Sequence, residues 1–243
     1  RCGSSRAGAG NGRKEHARHP GKLCLAFPDT YSIGMSHHGL QVLYTLMNEK
    51  EGWLCERAFT PLPDMEQALR REGLPLYSLE SFTPLHHFDV FGFTLQYEVC
   101  YPNMLTMLDL GEIPIHSSER TLDDPLIVVG GPCTQNPEPV APFIDVAVTG
   151  DGEPSLPLIC EAWLRAKQET IDAEGLLQGD AGKRQRRELL AQLATQLPFA
   201  YVPQFYQPEY YPDGRYVTLN RVRSEVPETI EPSVISDLEE IPL

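Results

Sequence analysis

The chain has 243 residues, of which 41% are hydrophobic, and its formal net charge is -14 at pH 7. This composition is typical of a globular protein with a packed core, and the excess of acidic residues argues against a general nucleic-acid surface or an anionic-membrane surface. No apolar run approaches the roughly 18 residues that a membrane span needs, so we expect no membrane partner and a cytoplasmic protein.

The first residues differ from the rest in composition. Residues 1–21 are rich in Gly, Ser, Ala and Arg and have no apolar periodicity, which predicts a disordered basic arm. A transit peptide or a nucleic-acid-binding tail would have this composition, but a ragged start is favoured over both. Arg1 in place of Met is what a fragment would show.

From Lys22 onward, short apolar runs alternate with helical patterns. In the first helical segment Leu40, Leu43 and Met47 recur at spacings of three and four, and Gly52 supplies a stop. A weaker, edge-like strand is predicted at 74–81. The clearer strands are predicted at 22–27, 53–61, 88–96, 125–131 and 144–150, and the helices at 39–52, 63–73, 101–113, 156–169 and 180–197.

This alternation predicts an α/β fold with a Rossmann-like (flavodoxin-like), mostly parallel sheet and helices on both faces. We assign that domain to residues 22–170. A helix and a β-hairpin over 201–222, with its turn at Pro212, Asp213 and Gly214, form an extension over 171–224. The proline-rich, acidic residues 225–243 are predicted to be a linker toward a domain missing from this chain.

Glycines follow two successive predicted strands. Gly130 and Gly131 precede Pro132, and Gly150 and Gly152 flank Asp151. Because ligands of such sheets sit beyond the carboxyl ends of the strands, bare backbone there would let a flat ligand lie against the sheet. Neither G-x-G-x-x-G nor G-x-x-x-x-G-K-[ST] occurs, which disfavours NAD and ATP.

The sequence identifies no catalytic residue and no metal ligand. The six cysteines lie far apart without a C-x-x-C pair, so buried reduced thiols are expected, and Cys133 has no identifiable base. The adjacent histidines of His37-His38 and His86-His87 diverge in direction, which favours surface or capping roles over metal binding. Asp151 and Glu153 are carboxylates suited to acid–base chemistry, but capping of the next helix is favoured.

The loop after the first strand carries a recognisable spacing. Asp29, Tyr31 and Gly34 form D-x-Y-x-x-G, which resembles the cobalamin-binding signature D-x-H-x-x-G with Tyr in place of the cobalt-ligating His. Taken together with LAFPDTYSIGMSHHGLQVLY, GGPCTQNPEPVAPFIDVAVTGDGE and YVPQFY, the chain from Lys22 to Leu243 resembles the N-terminal region of cobalamin-binding-type radical SAM proteins.

The resemblance implies a Rossmann-like domain that holds cobalamin and precedes a radical SAM core in the same polypeptide, acting on an unknown substrate. A 4Fe-4S cluster and S-adenosylmethionine would be bound in that core, since its C-x-x-x-C-x-x-C motif does not occur in this sequence. The cofactor-binding residues implied by the resemblance are Asp29, Tyr31, Gly34, Met35, Ser36, Thr94, Gln96, Tyr97, Gly130, Gly131, Pro132, Gly150 and Glu153. Of these, Ser36 is also expected to cap the helix that follows.

Two alternatives stay open. The domain can be a degenerate Rossmann fold that binds no corrinoid, packs on the radical SAM barrel and helps to present substrate; Tyr31 in place of His favours this. A self-standing enzyme that uses a nucleotide or sugar nucleotide is disfavoured by the missing phosphate-binding motifs.

Overall fold

The computed structural model describes residues 21–237, so most of the predicted basic arm and the end of the predicted linker lie outside the described residues. Its centre is a six-stranded sheet of order β2-β1-β3-β4-β5-β6, parallel except for β6, which runs antiparallel to β5. The strands are β1 Gly21–Phe27, β2 Trp53–Phe59, β3 Val90–Thr94, β4 Leu126–Gly130, β5 Val146–Val148 and β6 Ala200–Tyr201.

Helices follow the strands as the sequence predicts. α2 packs against α5, and α3 packs against α4. The central strands are buried along nearly their whole length, which is the pattern of a parallel sheet covered on both faces. The helices are α1 Tyr31–Gly34, α2 His38–Glu49, α3 Pro63–Glu72, α4 Tyr101–Leu110, α5 Gly152–Glu174 and α6 Gly179–Gln196.

The prediction of an α/β, flavodoxin-like sheet is confirmed, and the strand order locates its ligand-binding edge. The order 2-1-3-4-5 reverses direction between β1 and β3. At such a switch point the loops after neighbouring strands diverge and leave a crevice at the carboxyl ends. The loops after β1, β3, β4 and β5 therefore surround the expected site.

The predicted strand at 74–81 is wrong. Its backbone folds back on itself, because the Ser78 amide donates to the Thr83 carbonyl at 2.9 Å and an isolated bridge joins Tyr77 to Pro84. One backbone–backbone hydrogen bond, from the Leu79 amide to the Arg57 carbonyl at 2.7 Å, joins this segment to the edge of β2.

The predicted hairpin is shorter than 201–222. Its strands are β7 Tyr206–Tyr210 and β8 Tyr216–Arg221, whereas Ala200 and Tyr201 form β6 in the main sheet. This short strand caps the edge of β5. The following residues are also held: Val226 is 1% exposed, and Ser233 pairs with Gly150 in a parallel bridge.

A buried ion cluster fixes α6 to the amino ends of β4 and β5. Oδ2 of Asp145 accepts from Arg120 at 3.1 Å, from Arg186 at 2.8 Å and from the Ile127 amide at 2.8 Å. Asp145 and both arginines are at most 1% exposed. One carboxylate thus bonds to two buried guanidinium groups, and both groups also donate to backbone carbonyls such as those of Phe143 and Pro125.

The cysteines of the described region are free thiols, as expected. Cys24, Cys55, Cys100 and Cys160 are buried and Cys133 is partly exposed. In the same region no helix is both long and apolar enough to cross a bilayer.

Candidate functional site

A cavity of about 220 Å³ lies at the carboxyl ends of β1, β3, β4 and β5, between the sheet and helices α2 and α5. We call it the rim cavity. Its floor is the sheet, and its apolar walls come from the first turns of the two helices. The floor residues are Leu25, Gly92, Val128 and Val148, and the wall residues are Leu40, Leu43, Gly152 and Leu156.

The rim cavity brings together the predicted residues of three loops but not those of the first. Its lining includes Thr94, Gln96, Gly130, Gly131, Gly150 and Glu153. The other predicted site residues, Asp29, Tyr31, Gly34, Met35, Ser36, Tyr97 and Pro132, do not line it. The loop after β1 contributes His37 instead, a residue that the sequence offered only as a surface or capping histidine.

The glycines at the strand ends serve different purposes. A Cβ on Gly130 would have no neighbour within 4 Å, so this position does open space. Gly131 and Gly150 have φ values of 95° and 98°, which L side chains rarely adopt. A Cβ on Gly131 would lie 2.8 Å from the Leu95 carbonyl oxygen, and one on Gly150 would lie 2.0 Å from that of Ser233. The interpretation of these glycines as one cleared shelf holds for Gly130 but not for Gly131 and Gly150.

His37, not Ser36, caps α2. Nδ1 of His37 accepts from the Leu40 amide at 3.1 Å, and the Ser36 hydroxyl donates to the Ile33 carbonyl at 2.7 Å. The prediction for Ser36 is wrong because α2 begins at His38, so that His37 holds the N-cap position, while the Ser36 side chain bonds back to α1. Burial lowers the pKa of His37, against a hydrogen bond to Gln96 that raises it. A mostly neutral imidazole therefore stands at the cavity mouth.

Asp151 binds the end of the described chain rather than the helix that it precedes. No side-chain bond from Asp151 caps α5; its Oδ2 accepts from the Ile235 amide at 2.9 Å. The Asp151 amide donates to the Ser233 carbonyl at 2.7 Å, and the Ser233 amide to the Thr149 carbonyl at 2.8 Å. Residues 233–235 thus run along the edge of the rim cavity. The expectation that Asp151 caps α5 through its side chain is wrong.

The loop after β1 packs around Phe59 of β2. The Tyr31 ring meets the Phe59 ring edge-on with centroids 5.6 Å apart, and a Cβ on Gly34 would lie 2.3 Å from that ring. The Met35 carbonyl accepts from the Gln41 amide group at 3.1 Å. Gly34 is required by this packing, and Tyr31 is directed toward β2 and away from the rim cavity.

Asp29 links this loop to the one after β3. Its Oδ1 accepts from the Thr30 amide at 2.6 Å, and its Oδ2 accepts from the Tyr97 hydroxyl. This bond to a carboxylate raises the pKa of Tyr97, because ionisation would bring two negative charges together. The two residues hold the loops on either side of the switch point in register.

A comparison with protein families shows to which family the chain belongs. A family described as "Radical SAM proteins, N-terminal" matches residues 39–203, which is more than half of the chain. The chain belongs to this family.

The relatives of this radical SAM N-terminal region include an uncharacterized protein of Methanocaldococcus jannaschii. The two are 31% identical over 102 residues, which are 42% of this chain and 20% of the relative. The chain thus spans about a fifth of the curated relative that it matches.

The rim cavity is too small to enclose a whole corrinoid. Pockets that enclose drug-sized ligands are about 300–1,000 Å³, so the volume here suits one planar arm of a larger molecule. The bare floor at Gly92 and Gly130 and the apolar walls suit an aromatic ring. Within residues 21–237, no group of three or more His, Cys, Asp or Glu side chains could hold a metal ion.

Proposed function

We propose that this radical SAM N-terminal region is a cobalamin-binding accessory domain. The catalytic core of the same polypeptide would hold the 4Fe-4S cluster and S-adenosylmethionine. One observation carries the proposal: the rim cavity of about 220 Å³ opens at the β1–β3 switch point, where sheets of this order bind their ligands.

The lining supports the insertion of one aromatic arm of the cofactor. Gly92 and Gly130 present backbone where other residues would present side chains, and Leu40 and Leu156 face them from the two helices. Polar atoms stand at the mouth, where the Thr94 hydroxyl accepts from the Gln96 amide group at 2.6 Å. An apolar interior with a few polar groups is the usual make-up of a cofactor site.

Tyr31 is the position at which this chain differs from the cobalamin-binding signature, which has His there. Bound cobalamin supplies a cobalt centre that can carry an alkyl group. Position 31 is Tyr and therefore offers no imidazole to a metal. Its ring packs on Phe59. We propose that the residues of the rim cavity would hold the cofactor, and that position 31 would supply no ligand to it.

Titration of the purified chain with hydroxocobalamin tests the proposal. We expect a change in the visible spectrum and co-elution of the red cofactor with the protein on gel filtration. Gly130→Leu should abolish both, because its side chain would grow into space that has no neighbour within 4 Å of the Cβ. Gln192→Leu adds a similar side chain at an exposed position of α6 and should bind like the wild type.

Absence of binding by the wild-type chain, or equal binding by Gly130→Leu, would contradict the proposal. The first result would leave the second candidate function: a degenerate domain that binds no corrinoid, packs on the radical SAM core and helps to present substrate. Tyr31 favours this candidate, since it lacks an imidazole and is 55% exposed beside Ile33, which is 46% exposed.

A further inference from the structure

A second cavity, of about 570 Å³, lies at the carboxyl end of β2 and is separate from the rim cavity. We call it the aromatic groove, and we define it by Tyr31, Phe59, Leu62, Tyr77, Leu79 and Phe82. We propose that the aromatic groove binds a small aromatic molecule that is neutral or positively charged. This proposal is independent of the cobalamin proposal.

The size and lining of the groove suit a small ligand. Its volume falls within the range of about 300–1,000 Å³ that is typical of small-molecule pockets. Its apolar side chains are unusually open to solvent: Phe82 is 67% exposed, Leu62 57% and Tyr31 55%. Large apolar groups that gather around a cavity, unlike those scattered singly over a surface, mark a binding site.

Phe82 stands at the groove in a strained backbone conformation. Its φ is 60°, in the left-handed region that a bulky residue avoids. Its ring meets the Tyr77 ring edge-on with centroids 5.6 Å apart, which leaves most of the side chain in solvent. An exposed phenylalanine gains little from burial, so folding alone does not explain why strain is kept here. Strain of this kind is concentrated at ligand-binding positions.

The loop that carries Phe82 is fastened on both sides. The Ser78 amide donates to the Thr83 carbonyl at 2.9 Å, and the Thr83 amide donates to the Ser78 hydroxyl at 3.1 Å. Glu80 accepts from the backbone amide of Arg57 at 2.7 Å and from its Nε at 2.8 Å. These bonds fix the loop to β2, so Phe82 is presented in a defined position before any ligand arrives.

The charges around the groove determine which ligand charge is favoured. Asp64 is its acidic residue, and no Lys, Arg or His lines it in the described part of the chain. One Asp64 oxygen accepts from the Met65 amide at 2.9 Å, and the residue is exposed where it lines the groove. A cation would gain from this carboxylate, a neutral ring would be tolerated, and an anion would be repelled.

Three indoles that differ in charge test the proposal by isothermal titration calorimetry on the 243-residue chain. Tryptamine is cationic, indole is neutral and indole-3-acetate is anionic, while the ring is the same. We expect the affinity to decrease in that order. Phe82→Gly and Phe82→Ala should each weaken tryptamine binding about 2- to 12-fold, the equivalent of one aromatic contact.

Stability separates the two variants. Glycine adopts a positive φ without strain, so Phe82→Gly should melt at a higher temperature than Phe82→Ala although both bind weakly. Leu74→Ala removes a side chain that is 56% exposed and lies outside the groove, and it should leave the affinity unchanged. Gly130→Leu should also bind tryptamine normally, which keeps this test distinct from that of the rim cavity.

Several results would overturn the proposal. Binding of none of the three indoles, preference for indole-3-acetate, or an unchanged affinity in both Phe82 variants would each exclude a site for a neutral or cationic ring. Sedimentation velocity provides a further check, since self-association that Phe82→Ala abolishes would identify the groove as a contact between copies of the chain.

Discussion

The hydroxyl of Tyr97 donates a hydrogen bond to the carboxylate of Asp29 across the point where the strand order reverses. The bond joins the loops after β1 and β3, and it uses two residues that the sequence implicated in ligand binding. In the structure they bind each other. A ligand at this edge would meet a pair of loops that is already connected.

Asp29→Asn should lower the pKa of Tyr97. The carboxylate raises this pKa, and a neutral amide removes the repulsion that opposes ionisation of the phenol. The stability that the bond provides is complete below the ordinary tyrosine pKa of about 10 and is lost as the pH rises through the raised value. Ultraviolet titration of tyrosinate absorbance measures the change. Tyr97→Phe provides the control. In the Tyr97→Phe background, Asp29→Asn should leave the titration of tyrosinate absorbance unchanged.

Asp145→Asn should destabilise the fold strongly. It would leave Arg120 and Arg186 buried without their shared carboxylate, and breaking a buried ion pair costs about 3–5 kcal/mol. Urea unfolding measures the loss. Asp213→Asn breaks the exposed pair with Arg215, whose side chains are 53% and 76% exposed, and should change stability by about 0–1 kcal/mol. Equal effects of the two variants would refute the role assigned to Asp145.

Thiol alkylation of a Cys2→Ser variant should label Cys133 before Cys24, Cys55 and Cys160. Cys133 is partly exposed, whereas burial both shields the other thiols and raises their pKa, so that few are thiolates at neutral pH. Timed labelling with iodoacetamide, quenched with an excess of dithiothreitol and followed by peptide mass spectrometry, measures the order. Raising the pH to about 8.5, the ordinary cysteine pKa, should not make the three buried thiols reactive; early labelling of any of them would contradict the described packing.

Gly34→Ala should reduce stability, whereas Gly130→Ala should not. A methyl group at position 34 would lie 2.3 Å from the Phe59 ring, and overpacking of this kind costs about 1–3 kcal/mol. At position 130 the methyl group would have no neighbour within 4 Å. Thermal or urea unfolding of both variants makes the comparison, and an unaltered midpoint for Gly34→Ala would mean that α1 does not pack on β2 as described.

The sequence predicts the fold well because its signals are local. The helix α3 has Pro63 at its first position and ends at Gly73, whose φ of 61° is left-handed, and both signals can be read from neighbouring residues. The buried strands β3 and β4 are continuous apolar runs. The predicted strand at 74–81 is wrong because the Ser78 backbone pairs with Thr83 in its own loop and not with a neighbouring strand. The composition of the segment does not reveal this pairing.

The site is less predictable because it depends on contacts between distant segments. The first loop has the spacing of a ligand-binding motif, yet Tyr31 and Gly34 pack on Phe59 of the neighbouring strand. His37 is the N-cap of α2 and lines the rim cavity, and nothing in the sequence around it distinguishes it from His38. β6 is only two residues long, too short to give a periodic signal.

Gly150 lines the rim cavity, but a side chain at this position would collide with the backbone of Ser233. In a mutational scan, any side chain at position 150 would therefore displace the backbone around Ser233, which runs along the edge of the cavity. Weaker ligand binding by such a variant would follow from the displacement of residues 233–235, and not from the loss of a contact made by Gly150 itself.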